Sequence, residues 1–373
     1  MSQSTTAGAT VNSSTSAASR PWIGADVDKA TFAVAIYREP RPGAPDLKAL
    51  PTSRFARNAS GVSAFVRWVD ADLARRRPAA PAPRICMEAT GNYSLELAAE
   101  IISQRPGLAP AIVNARLVKK FRESLGQRCK ADKVDARVCA IYGADRLPAP
   151  WQPPKYQALQ ELVRERKALV DQRTVLQNRR GKKGELKLVR TVQEQLRRQL
   201  DKHIKKLDQA IAQQLDKSAQ LKSDAKQVRQ LPGVGPVVTG TVFGELGDLR
   251  DYARSRSLSA MVGVNPAVVE SGKHQGKTRM SKQGNARVRA VLYCAAMGCL
   301  KTKRDHCLKR FHRRLLDHGK TRKQSLGALM RKILLLMRAV LITGEPFDPD
   351  YDLRGKNVEN RLETVNPAQG LSR

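Results

Sequence analysis

The sequence predicts two folded regions of different class: an α/β N-terminal domain with a mostly parallel sheet, and a mainly helical C-terminal domain. A long, charged helical linker joins them. Three observations lead there. Short β-rich segments alternate with helical spacing over the first 150 or so residues. The stretch from Lys155 to Arg229 has no proline and repeats apolar residues at three- and four-residue intervals. Beyond LPGVGP (231–236), apolar runs such as RAVLYCAAMGCL and SLGALMRKILLLMRAVL read as helices.

Residues 1–20 are Ser, Thr and Ala with almost no large apolar groups, so burial cannot offset chain entropy and a disordered tail is expected. The folded N-terminal domain is placed at 21–150. Residues 22–37, WIGADVDKATFAVAIY, alternate in polarity with a polar break at Asp26 to Lys29, which predicts a β-hairpin. Pro40, Pro42, Gly43 and Pro45 make the next connection irregular. Ser60 is placed as the N-cap of a helix bearing Val62, Phe65, Val66, Val69 and Leu73 on one face. RICME (84–88) and AIV (111–113) read as short buried strands, and Tyr93–Gln104 as the helix between them. A basic stretch leads into a helix over about Ala131–Arg146. The linker is placed at 151–229, as two long antiparallel helices or a coiled coil broken near Gly181–Gly184. The C-terminal domain spans 230–343, and 344–373 is expected to be a flexible tail.

Lys and Arg number 68 against 34 Asp and Glu, a net charge of +34 in 373 residues. That balance excludes a simple enzyme for small neutral substrates and points to a polyanion, whose binding energy comes from neutralising phosphates and releasing counterions. No apolar run approaches the roughly 20 residues of a membrane span, and no apolar signal core opens the chain. A cytoplasmic protein without a membrane partner is expected. Six scattered cysteines form no C-x-x-C pair, so reduced thiols are the default. The spacing of Cys299, His306, Cys307, His312 and His318 fits no standard zinc pattern.

Four carboxylates sit at element ends in the first domain. Asp26 follows WIGA, Glu88 ends RICM, and Asp132 and Asp135 stand three apart at the start of a helix, so both project from one face. Acids gathered from strand ends and one helix suit a two-metal site, because hard cations want several oxygens. A chain that binds phosphate would repel its ligand with these carboxylates unless cations stood between. Each acid alone also fits a turn, cap or ion-pair role, and Asp28 shares a strand face with Asp26.

Between Lys277 and Arg338 eighteen Lys and Arg oppose only Asp305 and Asp317, a net of +16. Such a concentration among apolar residues predicts nucleic-acid contact. At its start, RMSKQGNARVR places Ser281 among Arg279, Lys282, Arg287 and Arg289, with Gly284 and Asn285 in the loop. Ser281 reads either as the cap of the following helix or as a nucleophilic hydroxyl on an electropositive loop. LPGVGP resembles the turn of a helix-hairpin-helix, in which Gly233 and Gly235 let backbone N–H groups approach a phosphate.

The order IGADVDK (23–29), MEATGNY (87–93), VNARLVKKFRESLGQRCKADKVDA (113–136), LPGVGPVVTGTVFGELGDL (231–249) and RMSKQGNARVR (279–289) resembles the IS110 family of transposases, which includes the IS1111 branch and the related Piv-type DNA invertases. The likeness runs from about Trp22 to Leu341. It implies an RNase H-like (RuvC-like) N-terminal domain with a DEDD acid set, a coiled-coil linker, and a C-terminal transposase domain with an essential serine. Carried onto this chain, the acids and metal ligands are Asp26, Glu88, Asp132 and Asp135, and the serine is Ser281. The implied cofactor is Mg2+, two ions, replaceable by Mn2+. Lys119, Lys120, Lys130, Lys133, Gly233, Gly235, Arg279, Lys282, Asn285, Arg287 and Arg289 fall in the motifs expected to touch nucleic acid. The implied partners are element and target double-stranded DNA, a structured guide RNA that selects both by base pairing, and further copies of the chain in a dimer or tetramer. The implied compartment is the bacterial cytoplasm at the nucleoid. Three positions depart from the family pattern: Asn114-Ala115 stands for Asn-Pro, Lys130-Ala131-Asp132 for Lys-Thr-Asp, and Asp28 where the family more often has a small or polar residue. The first two remove no ligand. A structure-specific RuvC-like endonuclease, or a DNA invertase without guide RNA, is the alternative.

Overall fold

The computed structural model describes residues 20–38, 46–75, 82–108, 110–126, 132–179, 186–267, 270–271, 274–275 and 279–353. The expected disordered N-terminus, Lys130 and the break at 181–184 lie outside them. The chain divides into two compact units, Met1–Pro153 and Pro154–Arg373.

In the first unit the predicted hairpin is β1 (Trp22–Val27) and β2 (Thr31–Tyr37), paired antiparallel from Trp22↔Tyr37 to Val27↔Phe32. An unforeseen strand, β3 (Thr52–Ala56), extends it at the edge. β4 (Arg84–Glu88) runs parallel to β1, and β5 (Pro110–Val113) parallel to β4. The sheet order is β3-β2-β1-β4-β5. Alternation sends Ile23, Ala25 and Val27 to one face, into a core with Val62, Phe65 and Val69 of α1 (Ala59–Ala74) and Leu97, Ala98 and Ile101 of α2 (Asn92–Gln104). Trp22 and Cys86 face the other way, against Val118 of α3 (Ala115–Ser124) and Val138, Cys139 and Tyr142 of α4 (Asp132–Arg146). The result is three layers, helices on both faces of one mixed sheet.

The cap of α1 is Asn58, not Ser60. Its side-chain oxygen accepts from the Gly61 N–H at 2.8 Å and from the Ser60 hydroxyl at 2.9 Å, so Ser60 lies in the first turn. Asn is as good a cap as Ser, and position relative to the first helical residue decides between them.

In the second unit, α5 (Gln157–Arg179) and α6 (Lys187–Leu215) lie antiparallel, as Arg166–Asp208 and Arg173–Asp201 ion pairs show by running in opposite order along the two helices. Leu159, Val163, Ile211 and Leu215 at the base of this pair share one core with the helices that follow. The boundary expected at 229/230 therefore does not separate compact units. Farther along, Val175, Leu186, Leu188, Val192 and Leu196 are exposed. The core is completed by α7 (Ala219–Val228), α8 (Pro236–Leu246), α9 (Ser255–Val262), α10 (Ala286–Lys301), α11 (Cys307–Asp317) and α12 (Arg322–Thr343). Between α9 and α10 the chain forms β6 (Pro266–Ala267), paired with β9 (Arg279–Met280), and a small hairpin of β7 (Glu270–Ser271) and β8 (His274–Gln275).

Residues 344–353, expected as the start of a flexible tail, are docked. The Cys307 N–H donates to the Pro349 carbonyl at 2.7 Å, Arg310 pairs with Asp350 at 3.0 Å and Asp352 at 2.6 Å, and Phe347 and Tyr351 pack on the core. Among the described residues no helix is long and apolar enough to cross a membrane.

Candidate active site

Strand register and one close helix approach place Asp26, Glu88 and Asp135 at one end of the sheet. β1 and β4 pair in register from Trp22↔Arg84 to Ala25↔Met87, so the next step sets Asp26 beside Glu88 at the C-terminal ends of both strands. Alternation puts both on the face of Gly24 and Cys86, the face α4 covers. Helix and strand touch there because residue 24 is glycine: a Cβ on it would stand 1.9 Å from the Ala136 carbonyl oxygen and 2.2 Å from the Ala140 nitrogen. Asp135 thereby comes down over the strand ends. Beneath them lies the buried Cys139 thiol, whose pKa is held well above the usual value first by burial and further by the nearby carboxylates Glu88, Asp26 and Asp135.

Asp135 is buried and paired with Arg122 of α3, Nη1 to Oδ1 at 2.7 Å. A guanidinium already sits on this carboxylate, as a local excess of negative charge requires. Asp132 is the first residue of α4; its side chain lies outside the described residues. Among the described residues no three His, Cys, Asp or Glu side chains stand close enough to share an ion. The donor set is oxygen-only and suits a hard divalent cation in kind. Asp28 is separated from the cluster: it is exposed in the β1–β2 turn, where its carbonyl accepts from Arg57. Lys119, Lys120 and Lys133 are exposed.

The serine region is built differently. Ser281 follows β9, and both its N–H and its hydroxyl are engaged by one residue. The N–H donates to the Asn265 carbonyl at 3.0 Å, and Oγ donates to Asn265 Oδ1 at 2.8 Å. Lys282, at φ +54, and Asn285 donate their N–H groups to the carbonyls of Gly263 and Met261, pinning the loop to the end of α9. The cap of α10 is Asn285, whose Oδ1 accepts from Arg287 at 3.0 Å and Val288 at 3.1 Å. Of the two readings of Ser281, capping is thereby removed. The Asn285 Nδ2 donates to Glu245 Oε2 at 2.8 Å, and Arg164 grips the same carboxylate at 2.8 and 3.2 Å. Burial pushes the Glu245 pKa up, but bonds from Arg164 and Asn285 and the charge of Arg164 and Arg287 outweigh it, and the net shift is downward. Glu245 is thus an ionised, buried carboxylate beneath a cationic loop.

The basic residues divide by use. Arg279, Lys282 and Arg287 are exposed, whereas Arg289 donates to the Val262 and Gly284 carbonyls and holds the loop shut on α9. Within the wider run, Arg310 and Arg313 pair with Asp305, and buried Arg338 donates to the Tyr252 carbonyl at 2.7 Å. The +16 is therefore not a uniformly free charge. Gly233 lies against α10, where a Cβ would meet the Ala295 carbonyl oxygen at 2.1 Å, while Gly235 faces open space at the N-cap of α8. His306 caps α11, and His312 bonds Ser325 at 2.6 Å, so these histidines have structural work.

Sequence reasoning missed Asn265, Glu245 and Arg164. One signal was available for Glu245: it is the only charged residue of α8 and stands at the C-terminal end, where an acid opposes the helix dipole.

Two family models match the chain: one described as a transposase (DEDD type, IS110) over residues 23–182, and one described as the transposase IS116/IS110/IS902 family over 225–313. The pilin gene-inverting proteins of Moraxella bovis and Moraxella lacunata are each 26% identical over 331 residues, covering 88% of this chain and 98% of theirs. The transposase for insertion sequence element IS1111A of Coxiella burnetii is 33% identical over 97 residues, 25% of this chain and 27% of that protein.

Proposed function

The chain belongs to the IS116/IS110/IS902 family of transposases, and from that premise we propose that it recombines insertion-sequence and target DNA through a covalent link to Ser281. The observation that carries this reading is the Ser281 hydroxyl held at 2.8 Å by Asn265, in a loop whose exposed side chains are Arg279, Lys282 and Arg287. A hydroxyl relieved of capping, in a loop that carries exposed guanidinium and ammonium groups, is suited to attack a phosphodiester. Oγ attacks phosphorus and gives its proton to water, the bond to the departing nucleotide oxygen breaks, and that oxygen takes a proton from water to leave as a hydroxyl. The phosphoserine conserves the bond energy, so the reverse attack by a DNA hydroxyl needs no ATP.

Asp26, Glu88, Asp132 and Asp135 would hold Mg2+, as two ions, with Mn2+ as a substitute. The metal would supply charge neutralisation between these carboxylates and the phosphate. Lys119, Lys120, Lys130 and Lys133 on one side, and the serine-loop cations on the other, would bind the backbones of element and target DNA and of a guide RNA. The base-pairing RNA supplies the selection that phosphate contacts lack. The α5–α6 pair would act as the coiled-coil linker, its exposed Leu186, Leu188 and Leu196 meeting another copy in a dimer or tetramer. There the acid domain of one protomer would serve the serine of another. The match to gene-inverting proteins along nearly their whole length favours one second reading, inversion of a DNA segment by the same chemistry without guide RNA.

Trapping decides. With a nicked substrate that prevents religation, the wild-type protein yields a DNA adduct mapped to Ser281, and Ser281→Ala yields none, a loss of at least about a thousandfold. Absence of an adduct in the wild type would refute the phosphoserine. Recombination that proceeds without RNA would select inversion.

A further inference from the structure

Glu245 makes no hydrogen bond to Ser281, yet it bonds Asn285, one of the residues that fix the serine loop. Its side chain is 2% exposed. Burying a carboxylate costs several kcal/mol unless its charge and lone pairs are met. Three elements meet them: Arg164 from α5 with a two-pronged grip, Asn285 from the loop, and Arg287 from α10 at 3.7 Å. Asn285 in turn is engaged at its backbone N–H, Oδ1 and Nδ2. Its N–H holds the end of α9, its Oδ1 caps α10, and its Nδ2 is spent on Glu245. The five residues from Ser281 to Asn285 are therefore held between two asparagine anchors, Asn265 at one end and Asn285 at the other. Only the second of these anchors bonds to a buried charge.

We propose that Glu245 is a positioning residue for Ser281, and that its partner Arg164 makes the serine loop's geometry depend on the base of the α5–α6 pair. A structural ion pair alone would link α5 to α8 and stop there. This one continues through Asn285 into the loop and keeps the Arg287 guanidinium beside it. The proposal rests on the assignment of Ser281 as nucleophile. It extends that assignment by naming what holds the nucleophile in place, and by assigning the long helices a part in it.

The test compares Glu245→Ala, Glu245→Gln, Arg164→Met and Asn285→Ser in the full-length protein. Gln keeps an acceptor for Asn285 and loses the charge. Ser at 285 keeps a good helix cap and is too short to reach Glu245, which protects the design against simple unfolding. Three quantities are read: thermal midpoint, the single-turnover rate of Ser281 adduct formation at saturating DNA, and amide exchange over residues 281–285. The expected result is a rate loss of about 10- to 100-fold for Glu245→Ala and Asn285→Ser, a smaller loss for Glu245→Gln, and faster exchange confined to the loop. Arg164→Met, a change on a different helix, should reproduce the Glu245→Gln effect. Wild-type rates and loop exchange in Glu245→Ala or Asn285→Ser would overturn the proposal, as would losses matching the fraction unfolded. If the wild-type protein forms no adduct, the serine assignment itself fails, and unchanged loop exchange in Glu245→Ala then refutes the positioning role on its own.

Discussion

The strand-end acids and the serine loop are placed by opposite means in a protein of net charge +34. At the acid cluster, backbone geometry does the placing: two parallel strands in register, and a helix seated on a glycine. One of the carboxylates that result, Asp135, is then paired with Arg122. At the serine loop, the cations are exposed, the single buried acid lies beneath them, and side-chain hydrogen bonds set the shape. The first placement rests on backbone spacing, and the second on the side chains of Asn265, Asn285 and Glu245.

The sharpest way to break this contrast is at Gly24. Valine there drives Cβ into the backbone of α4, at distances of 1.9 and 2.2 Å, and backbone atoms cannot swing aside as a flexible side chain does. The cost exceeds about 3 kcal/mol, a large fraction of the roughly 5–15 kcal/mol that holds a domain folded. Calorimetry of Gly24→Val should show the transition of the first unit lowered or lost, with the transition of the second unit in place. If both units kept their wild-type midpoints, the backbone approach would not be what assembles the acids.

A smaller effect is expected at Arg122, the cation on Asp135. Both side chains are mostly buried, so Arg122→Ala strands a carboxylate among the negative charges that already raise the Cys139 thiol. We expect a loss of about 1–3 kcal/mol in metal-free buffer. Millimolar Mg2+ should restore more stability to the variant than to the wild type, because the ion takes over a vacated role. Equal response of the two proteins to Mg2+ would separate Arg122 from the metal site.

The same contrast explains what was legible in the sequence. The hairpin, the strand RICME, the helix from 132 and the acids at element ends all follow from local alternation and from polar residues interrupting it, so they could be read. So could Ser281 and the charge around it. β3 was not readable, since TSRFA is too short and polar to stand out beside proline-rich neighbours. Ser60 was chosen over Asn58 because both are capping residues and only the helix start separates them. Asn265, Arg164 and Glu245 lie 16, 117 and 36 positions from Ser281 in the chain, and contacts of that span leave no period or spacing to detect. The docking of 344–353 was hidden likewise, because Asp350 and Asp352 look solvent-directed until Arg310 is placed opposite them.

The smallest predicted effect concerns sign. Lys282 is exposed in the serine loop, at a positive φ imposed by its N–H bond to the Gly263 carbonyl, whereas Asp26 stands among acids. If the loop cations engage DNA phosphates, Lys282→Ala should weaken binding by a few-fold and lower the slope of log affinity against log salt by about one. Asp26→Asn removes a charge of the other sign. In metal-free buffer it should leave affinity unchanged or raise it, since one repulsive carboxylate is gone. With Mg2+ present that advantage should vanish, because an ion would already have screened the acid. Fluorescence anisotropy with a DNA duplex across a salt series reads all four conditions. Weaker binding by Asp26→Asn without metal would mean that the carboxylates do not face the phosphates at all, and the two regions would then differ in function as well as in construction.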